Sequence, residues 1–349
     1  MKGEKAVRVN ISDVARAANV SKATVSNVFS KKRPIGPEVT ERVLTVAKEL
    51  GYYPNHVAVS LSLKKTMVIG LKMPITSDGE MPVFNTKMIS GVMQECNKRG
   101  YRLLIDTLPL PELDDPTKFT VDPVDGVILL NPRANDVRIE RYSQMNIPQV
   151  IIGEPNEKSY MPPFVDNNND SMLEQLGNYL LSLGHSKILF LNADKGMTVA
   201  EVRSRGLRKA FQNQGLKYNT DLEFNYEWSK HKSLSSYGYR MVLETYEQMK
   251  YTAIIADTDH TAIGAIRAAR ELGIILPEQL SIAALNNDTT VAQEVNPSLT
   301  SMELYPDKLG SQAAAFLFEI MDRTSHINKI IIDSKLIIRE STASIRSQL

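Results

Sequence analysis

The chain has 349 residues, of which 42% are hydrophobic, and its formal net charge at pH 7 is only +1. This length exceeds what one hydrophobic core usually serves, so we expect two or three domains. The first ten residues are polar and basic, so we expect neither a signal peptide nor a membrane span. A single cysteine, Cys96, excludes an intrachain disulfide, and the composition therefore favours a cytoplasmic protein in which this thiol is a packing residue.

The small net charge hides an uneven distribution along the chain. Residues 1–66 hold 12 Lys and Arg against 5 Asp and Glu, whereas the remaining residues hold 29 against 35. A basic head on an acidic body is typical of a phosphate-binding module that is joined to a separate small-molecule domain.

The first element along the chain is a predicted pair of short helices. Asn10 can cap the first helix, Asn19 tolerates the left-handed backbone of a turn, and Ser21 can cap the second helix. Apolar residues recur at helical spacing on one side of both helices, at Ile11, Val14, Ala15, Ala18, Val25, Val28 and Phe29. This order predicts a helix-turn-helix.

The outward side of the second helix carries residues that can read DNA. Asn27 can pair with adenine, Lys22 with guanine or a phosphate, and the Ala23 methyl with thymine. The basic run at 31–33 is expected to face the DNA backbone. The alternative is a solvated helical hairpin within a larger bundle. The predicted DNA contacts in this part of the chain are Ser21, Lys22, Ala23, Thr24, Ser26, Asn27, Lys32 and Arg33.

A third helix is predicted over residues 37–51. Its apolar stripe is Val39, Val43, Val46 and Leu50, and Gly51 ends it. This helix would close a small core with the other two.

Three motifs together resemble the headpiece of the lactose/galactose repressor family of bacterial transcription regulators. They are Ile-Ser-Asp-Val-Ala-Arg-Ala-Ala-Asn-Val-Ser-Lys-Ala-Thr-Val-Ser, then Glu-Leu-Gly-Tyr-Tyr-Pro-Asn, then Ala-Val-Ser-Leu. The resemblance implies a hinge helix that pairs with a second copy in the minor groove, with Leu61 wedged between base pairs, Ala58 beside it and Asn55 close by. Leu61 could instead be a core residue that joins two domains. Val59 departs from a position where the family often has arginine.

From residue 67 onward, short apolar runs alternate with helical stretches. This alternation predicts an α/β fold with parallel sheets covered on both faces. The predicted strands are 67–73, 101–107, 126–130, 149–153, 187–192, 252–257 and 280–285. The predicted helices are 85–99, 171–183, 199–214, 236–249 and 261–272.

We therefore expect a headpiece (1–53), a hinge helix and linker (54–66), and an effector-binding and dimerisation domain (67–349). The resemblance implies that this last part holds two doubly wound subdomains like those of periplasmic binding proteins. The first would cover about 67–165 and 298–324, and the second about 166–297 and 325–349. Three crossings between them would form a hinge with a ligand cleft.

Ligands of open parallel sheets bind beyond the carboxyl ends of the strands. The polar residues there, with an aromatic plate, suit a sugar, whose hydroxyls pair with amides and carboxylates. By resemblance, Trp228 stacks on the sugar and Arg203 reaches it. The alternatives are that Trp228 is ordinary core and that Arg203 pairs with an acidic neighbour, with Arg205 as its competitor. The predicted effector contacts are Pro74, Asn131, Glu154, Arg203, Trp228, Thr258, Asp259 and Asn286.

Two departures from the family pattern leave the identity of the effector open. Thr258-Asp259 stands where the family usually has Asn-Asp, and Leu285-Asn286 stands where it usually has an aspartate after an aromatic residue. An asparagine both donates and accepts hydrogen bonds, whereas a carboxylate only accepts them.

Catalytic and metal-binding motifs are missing from the sequence. It contains no Gly-rich phosphate loop, no Cys-x-x-Cys and no His-Glu-x-x-His, so we expect neither an enzyme nor a cofactor or metal site. His185, near a predicted helix end, is interpreted as a capping residue.

The combined expectation is a cytoplasmic repressor that binds double-stranded operator DNA and a small-molecule effector, for which the pocket chemistry favours a carbohydrate. Paired half-sites and the apolar helices at 88–96 and 313–321 favour a homodimer, and no heptad repeat favours a tetramer. The alternatives within the family are a corepressor-dependent global carbon-catabolite regulator and a purine-responsive repressor. A cytoplasmic sugar-binding protein or enzyme would leave residues 1–66 unexplained.

Overall fold

The computed structural model describes residues 9–30, 32–54, 60, 65–75, 81–109, 123–156, 161–286 and 288–345. By their internal packing, these belong to two units. One comprises residues 1–68 and 123–125, and the other comprises residues 69–122 and 126–349. In the described ranges, no helix combines the length and the apolar character that crossing a bilayer requires.

The first unit contains helices α1 (Ile11–Ala17), α2 (Lys22–Ser30) and α3 (Pro37–Glu49). The predicted caps are confirmed: Asn10 Oδ1 accepts a hydrogen bond from Ser12 N at 2.8 Å, and Ser21 Oγ accepts one from Thr24 N at 3.0 Å. Asn19 has a φ of 52° in the turn between α1 and α2. These local interactions fix the helix-turn-helix that the sequence predicts.

The small core of this unit lies between its three helices. Its buried residues are Val14, Ala15, Ala18, Val25, Val28, Val43 and Ala47. Leu50 does not follow the predicted stripe and is 38% exposed. Gly51, with a φ of 65°, turns the chain, and Tyr52 then packs on Phe29 with ring centroids 5.7 Å apart. Tyr52 therefore takes the core position expected for Leu50.

The second unit is built from strands and helices in alternation. Its strands are β1 (Val68–Ile75), β2 (Arg102–Pro109), β3 (Gly126–Leu130), β4 (Gln149–Ile152), β5 (Phe164–Asn167), β6 (Ile188–Asn192), β7 (Glu223–Asn225), β8 (Ala253–Ala256), β9 (Ser281–Ala284), β10 (Thr300–Glu303), β11 (Lys329–Ile332) and β12 (Lys335–Ile337). Its helices are α4 (Val83–Lys98), α5 (Val137–Gln144), α6 (Asn169–Ser182), α7 (Thr198–Asn213), α8 (Leu234–Met249), α9 (Asp259–Glu271), α10 (Thr289–Glu294) and α11 (Pro306–Met321).

These strands form two sheets, each at the centre of one lobe. The first sheet has the order β11-β5-β4-β3-β1-β2, and the second has the order β12-β10-β9-β8-β6-β7. In the first sheet, pairing is parallel at β1–β3, β3–β4, β4–β5 and β5–β11. In the second sheet, pairing is parallel at β6–β7, β6–β8, β8–β9 and β9–β10, whereas β12 pairs antiparallel with β10. Strands β3, β4, β6, β8 and β9 are buried along their whole length, because helices cover both faces of each sheet.

The return of the chain between the lobes differs from the prediction. Residues 298–324 were expected in the first lobe and 325–349 in the second. In the structure, β10 continues the second sheet because Thr300 pairs in parallel with Ala283, and only α11 then packs on the first lobe. Strand β11 next joins the first sheet, and β12 returns to the second. A strand joins the lobe whose sheet has an unpaired edge strand next to it. The sequence alone does not show which edge that is.

The apolar faces of α4 and α11 are buried against each other rather than left free for a second subunit. A Cβ on Gly91 would lie 2.0 Å from the carbonyl oxygen of Asp307, and one on Gly310 would lie 2.0 Å from that of Met88. Cys96 is fully buried, as predicted, and burial beside Glu95 raises its pKa to about 11. The two apolar stripes are used within the chain, so the expected homodimer rests on the paired half-sites rather than on these stripes.

Candidate functional site

A cavity of about 220 Å³ lies between the two lobes. The residues around it follow β3, β4 and β5 in the first sheet and β6, β7, β8 and β9 in the second. The carboxyl ends of parallel strands from both lobes thus meet at one place, which is where open sheets bind ligands.

Most of the predicted effector contacts lie around this cavity. Glu154 is not among them: its side chain is exposed, and its backbone N–H donates to Asp166 Oδ2 at 2.9 Å. Pro74 falls inside β1, which extends through Ile75, and its side chain lies outside the described part of the structure. The predicted residues that line the cavity are Asn131, Arg203, Trp228, Thr258, Asp259 and Asn286.

The cavity also contains residues that the sequence prediction missed. Asp166 lies within β5, a strand that was not predicted because only Phe164 and Val165 are apolar in it. Asp257 follows β8 directly, at a carboxyl strand end where the sequence predicts pocket residues, although it is not among the predicted effector contacts. Further lining residues of this kind are Met73, Phe84, Asn169, Asp194 and Tyr226.

Arg203 connects the polar side chains at one end of the cavity. Its guanidinium forms an ion pair with Asp257, and its Nε donates to Asn169 Oδ1 at 3.1 Å. Asn169 Nδ2 in turn donates to both carboxylate oxygens of Asp166 at 3.1 Å. Arg203 therefore lines the cavity and also has the acidic partner of the alternative interpretation. Arg205 pairs instead with Asp170 at 2.8 Å, and its side chain is 58% exposed.

Burial dominates the electrostatics of the two carboxyl groups in this network. It raises the pKa of Asp257, although the positive charge of Arg203 opposes the shift. It raises the pKa of Asp166 to about 6, although the backbone N–H groups of Glu154 and Asn167 donate to that carboxylate. As carboxylates, both groups offer hydrogen-bond acceptors to a ligand that brings donors.

Asp259 forms a second polar group at the start of α9. Its Oδ1 accepts hydrogen bonds from His260 N at 2.9 Å, and its Oδ2 accepts one from Asn286 Nδ2 at 3.4 Å. Thr258 caps the same helix by accepting from Thr261 N at 3.2 Å. Only 2% of Asp259 is exposed, so its position is fixed by the protein before any ligand arrives.

Aromatic side chains form the apolar wall of the cavity. Trp228 packs edge-to-face on Tyr226 with ring centroids 4.8 Å apart, and Phe84 lines the cavity from the first lobe. Trp228 also packs on the core of the second lobe, so it is both a core and a cavity residue. Its indole N–H is buried and has no hydrogen-bond partner among the described residues.

Two loops close one side of the cavity, and we call them the interlobe clasp: residues 132–134 after β3 and residues 194–198 after β6. Thr198 N donates to the carbonyl of Pro132 at 3.2 Å, and Ala134 N donates to that of Gly196 at 3.3 Å. Arg133 Nη1 lies 3.7 Å from Asp194 Oδ1. The clasp therefore joins the lobes through backbone hydrogen bonds and one ion pair.

In the helix-turn-helix unit, α2 presents the predicted DNA contacts on its outer side. Ser21, Lys22 and Ala23 are exposed, as are Lys32 and Arg33 after the helix. Thr24, Ser26 and Asn27 are partly exposed, whereas the intervening Val25 is buried. The predicted contacts Asn55, Ala58 and Leu61 lie outside the described residues.

Acidic, histidine and cysteine side chains do not gather into a metal site in the part of the chain that the structure describes. The cavity offers a ligand both polar groups for hydrogen bonding and aromatic side chains.

Known proteins share both parts of this architecture. The model of "Bacterial regulatory proteins, lacI family" matches residues 10–55, and that of "Periplasmic binding protein-like domain" matches residues 178–342. The HTH-type transcriptional repressor PurR of Haemophilus influenzae is 30% identical over 351 residues, which cover 96% of this chain and 99% of PurR.

Two solved structures share the fold over nearly the whole chain. The Lac repressor dimer bound to operator and the anti-inducer ONPF has a TM-score of 0.79 at 20% identity, over 96% of this chain and 99% of that one. The complex of the transcriptional regulator CelR with cellobiose has a TM-score of 0.70 at 24% identity, over 96% of this chain and 100% of that one. The chain belongs to the lacI family of bacterial regulatory proteins and is a helix-turn-helix transcriptional regulator.

Proposed function

We propose that this regulator is a repressor that binds operator DNA as a homodimer and whose operator affinity is controlled by a sugar bound between its lobes. The observation that carries the proposal is a cavity formed by the carboxyl strand ends of both sheets, in a chain that also carries a helix-turn-helix. The protein acts by binding, with the DNA and the small molecule on different units of the chain.

The DNA-binding half of the proposal rests on the outer side of α2. Lys22, Ala23 and Asn27 stand in or next to the first turns of this helix, from which side chains reach base edges when a recognition helix enters the major groove. Lys32 and Arg33 follow the helix and supply positive charge for phosphates. A homodimer would place two such helices on the half-sites of a near-palindromic operator.

The effector half rests on the chemistry of the cavity. Carboxylates and amides at one end can pair with hydroxyl groups, and Trp228, Tyr226 and Phe84 offer apolar surfaces for the C–H faces of a sugar ring. The cellobiose complex of CelR, which has this fold, supports a sugar as the ligand class.

The lining comes from both lobes, so the contacts of a bound ligand depend on the angle between the lobes. Whichever lobe arrangement binds the ligand better becomes the populated one. If the two arrangements also differ in operator affinity, ligand and operator are thermodynamically coupled. This coupling serves induction and corepression equally, with opposite signs.

A thermal-shift screen tests the proposal with a panel of neutral sugars, sugar phosphates and purines, repeated with an operator duplex selected from random DNA. We expect a neutral sugar to raise the melting temperature of the protein. We also expect the size of this increase to differ between samples with and without the operator duplex. Arg203→Gln should lose the response to the sugar, and Arg205→Gln, whose side chain lies outside the cavity, should keep it. Stabilisation by purines alone would identify a purine-responsive repressor instead, and a response to no compound in the panel would contradict the proposal.

A further inference from the structure

The described lining of the cavity is strongly biased toward negative charge. It contains four aspartates, Asp166, Asp194, Asp257 and Asp259, against one arginine, Arg203, and one histidine, His260. Because a cavity with low-dielectric walls concentrates the field of its charged groups, this imbalance acts directly on any charged ligand that enters.

Arg203 offers little net charge to an anion. Its guanidinium pairs with Asp257, its Nε donates to Asn169, and the side chains of Arg203 and Asp257 are only 12% and 13% exposed. A phosphate or carboxylate that displaced Asp257 would leave a buried carboxylate without its partner, which is strongly unfavourable. An anion bound through the remaining N–H groups would lie close to the Asp257 carboxylate and be repelled by it.

Two of the other three carboxylates, those of Asp166 and Asp259, add to the barrier. Asp194 faces Arg133 across the clasp at 3.7 Å. Asp166 is held by backbone N–H groups and by Asn169, and Asp259 by His260 and Asn286, so neither has a Lys or Arg within ion-pair distance among the described residues. An incoming anion would meet these negative charges, whereas a hydroxyl group would find acceptors.

We propose that the cavity selects uncharged, hydroxyl-rich ligands and rejects phosphorylated and carboxylated ones, with Asp257 as the residue that sets this selectivity by occupying Arg203. This inference rests on the proposed function of the cavity as the effector site. It assigns Asp257 a role in specificity that is separate from any contact with the ligand.

Inorganic phosphate is the direct probe, because it carries the rejected charge without a sugar. Isothermal titration calorimetry should show that Asp257→Asn binds phosphate at least tenfold more tightly than the wild type. The double variant Asp257→Asn/Arg203→Gln should lose this gain, which separates the cavity from phosphate bound by the basic helix-turn-helix unit. Circular dichroism checks that the variants fold, and Asp257→Ser removes the same charge with a smaller side chain.

Two outcomes would overturn the inference. One is phosphate binding by the wild type that Arg203→Gln abolishes, a result that does not depend on any Asp257 variant. The other is a folded Asp257 variant that binds phosphate no better than the wild type. Matched pairs of a sugar and its phosphate, such as glucose and glucose 6-phosphate, are then compared across the sugar panel. They separate failure of the charge selectivity from failure of the proposed function. Equal binding of a sugar and its phosphate defeats the charge selectivity alone, whereas binding of no sugar defeats the proposed function.

Discussion

A single arginine connects most of the polar groups in the cavity. Arg203 joins Asp257 from the end of β8 to Asn169 at the start of α6, and Asn169 holds Asp166 at the end of β5. Since β5 belongs to the first sheet and β8 to the second, this chain of interactions crosses between the lobes. A ligand that changes one of its bonds therefore acts on both lobes.

Replacing Asp166 by Asn should remove a pH dependence of stability. Burial raises the pKa of this carboxyl to about 6, above the value of about 3.9 in an unfolded chain. The Asp166 carboxyl therefore binds a proton more tightly in the folded protein than in the unfolded chain. Its contribution to the free energy of unfolding falls as the pH rises from the unfolded pKa to the folded pKa. The free energy of unfolding of Asp166→Asn minus that of the wild type should increase from about pH 4 to about pH 6 and then level off.

Urea unfolding at a series of pH values measures this difference. Trp228 is the only tryptophan, so its fluorescence follows the second unit of the chain. A difference that stays constant from pH 4 to pH 7 would show that Asp166 does not titrate as its burial implies.

At the DNA surface, a substitution that removes a base contact should change sequence preference, whereas one that removes a phosphate contact should lower affinity for every sequence. Asn27→Ala should change the base preferred at one operator position, at a cost of about 1–3 kcal/mol for the preferred base. Arg33→Ala should weaken all duplexes alike and reduce the slope of log affinity against log salt by about one. Competition binding at several salt concentrations distinguishes them, and an unchanged base preference in Asn27→Ala would contradict its assignment to the recognition surface.

At this scale, side chains that follow fully buried strands were predictable, and a side chain inside a weakly apolar strand was not. Asn131 and Asn286 follow fully buried strands and lie at the cavity as expected. Asp166 lies within a strand of four residues with little apolar signal. The pairing of Arg203 with Asp257 joins residues 54 positions apart, so only the folded chain reveals it.

Among the secondary-structure elements, close helix packing determines how the first lobe holds together. Replacing Gly310 by Ala should destabilise it by at least about 2 kcal/mol, because the new Cβ would lie 2.0 Å from the backbone carbonyl of Met88. That contact is made to backbone, so the helices must separate to relieve it. Gln312→Ala, two positions along the same helix and not buried, is the control and should stay within about 0.5 kcal/mol. Equal unfolding free energies for the two variants would contradict this account of the packing.

The long, periodic helices and the fully buried strands of the chain were predictable, and the short, partly polar elements were not. Helices α4, α6, α7, α8 and α9 lie within two residues of their predicted limits at either end, because each carries several turns of apolar periodicity. Strands β5, β7, β10, β11 and β12 and helices α5 and α10 were missed. They have at most eight residues, and packing rather than local pattern determines them.

For the whole molecule, the order of headpiece and two sheet lobes was predictable from motifs and from alternation, and the lobe membership of the last fifty residues was not. Successive segments there join the second sheet, the first lobe, the first sheet and the second sheet again. Strand β11 pairs with β5, which is far away in sequence, so its sheet is decided by the tertiary fold. These repeated crossings link the lobes that surround the cavity.

The most direct test of the account is the operator affinity of the full chain with and without bound ligand. Fluorescence anisotropy of a labelled operator duplex should show a shift of about 5- to 150-fold at a saturating concentration of a neutral sugar. Arg205→Gln should show the same shift, because Arg205 lies outside the cavity. An operator affinity that stays the same when calorimetry shows the sugar to be bound would contradict the account.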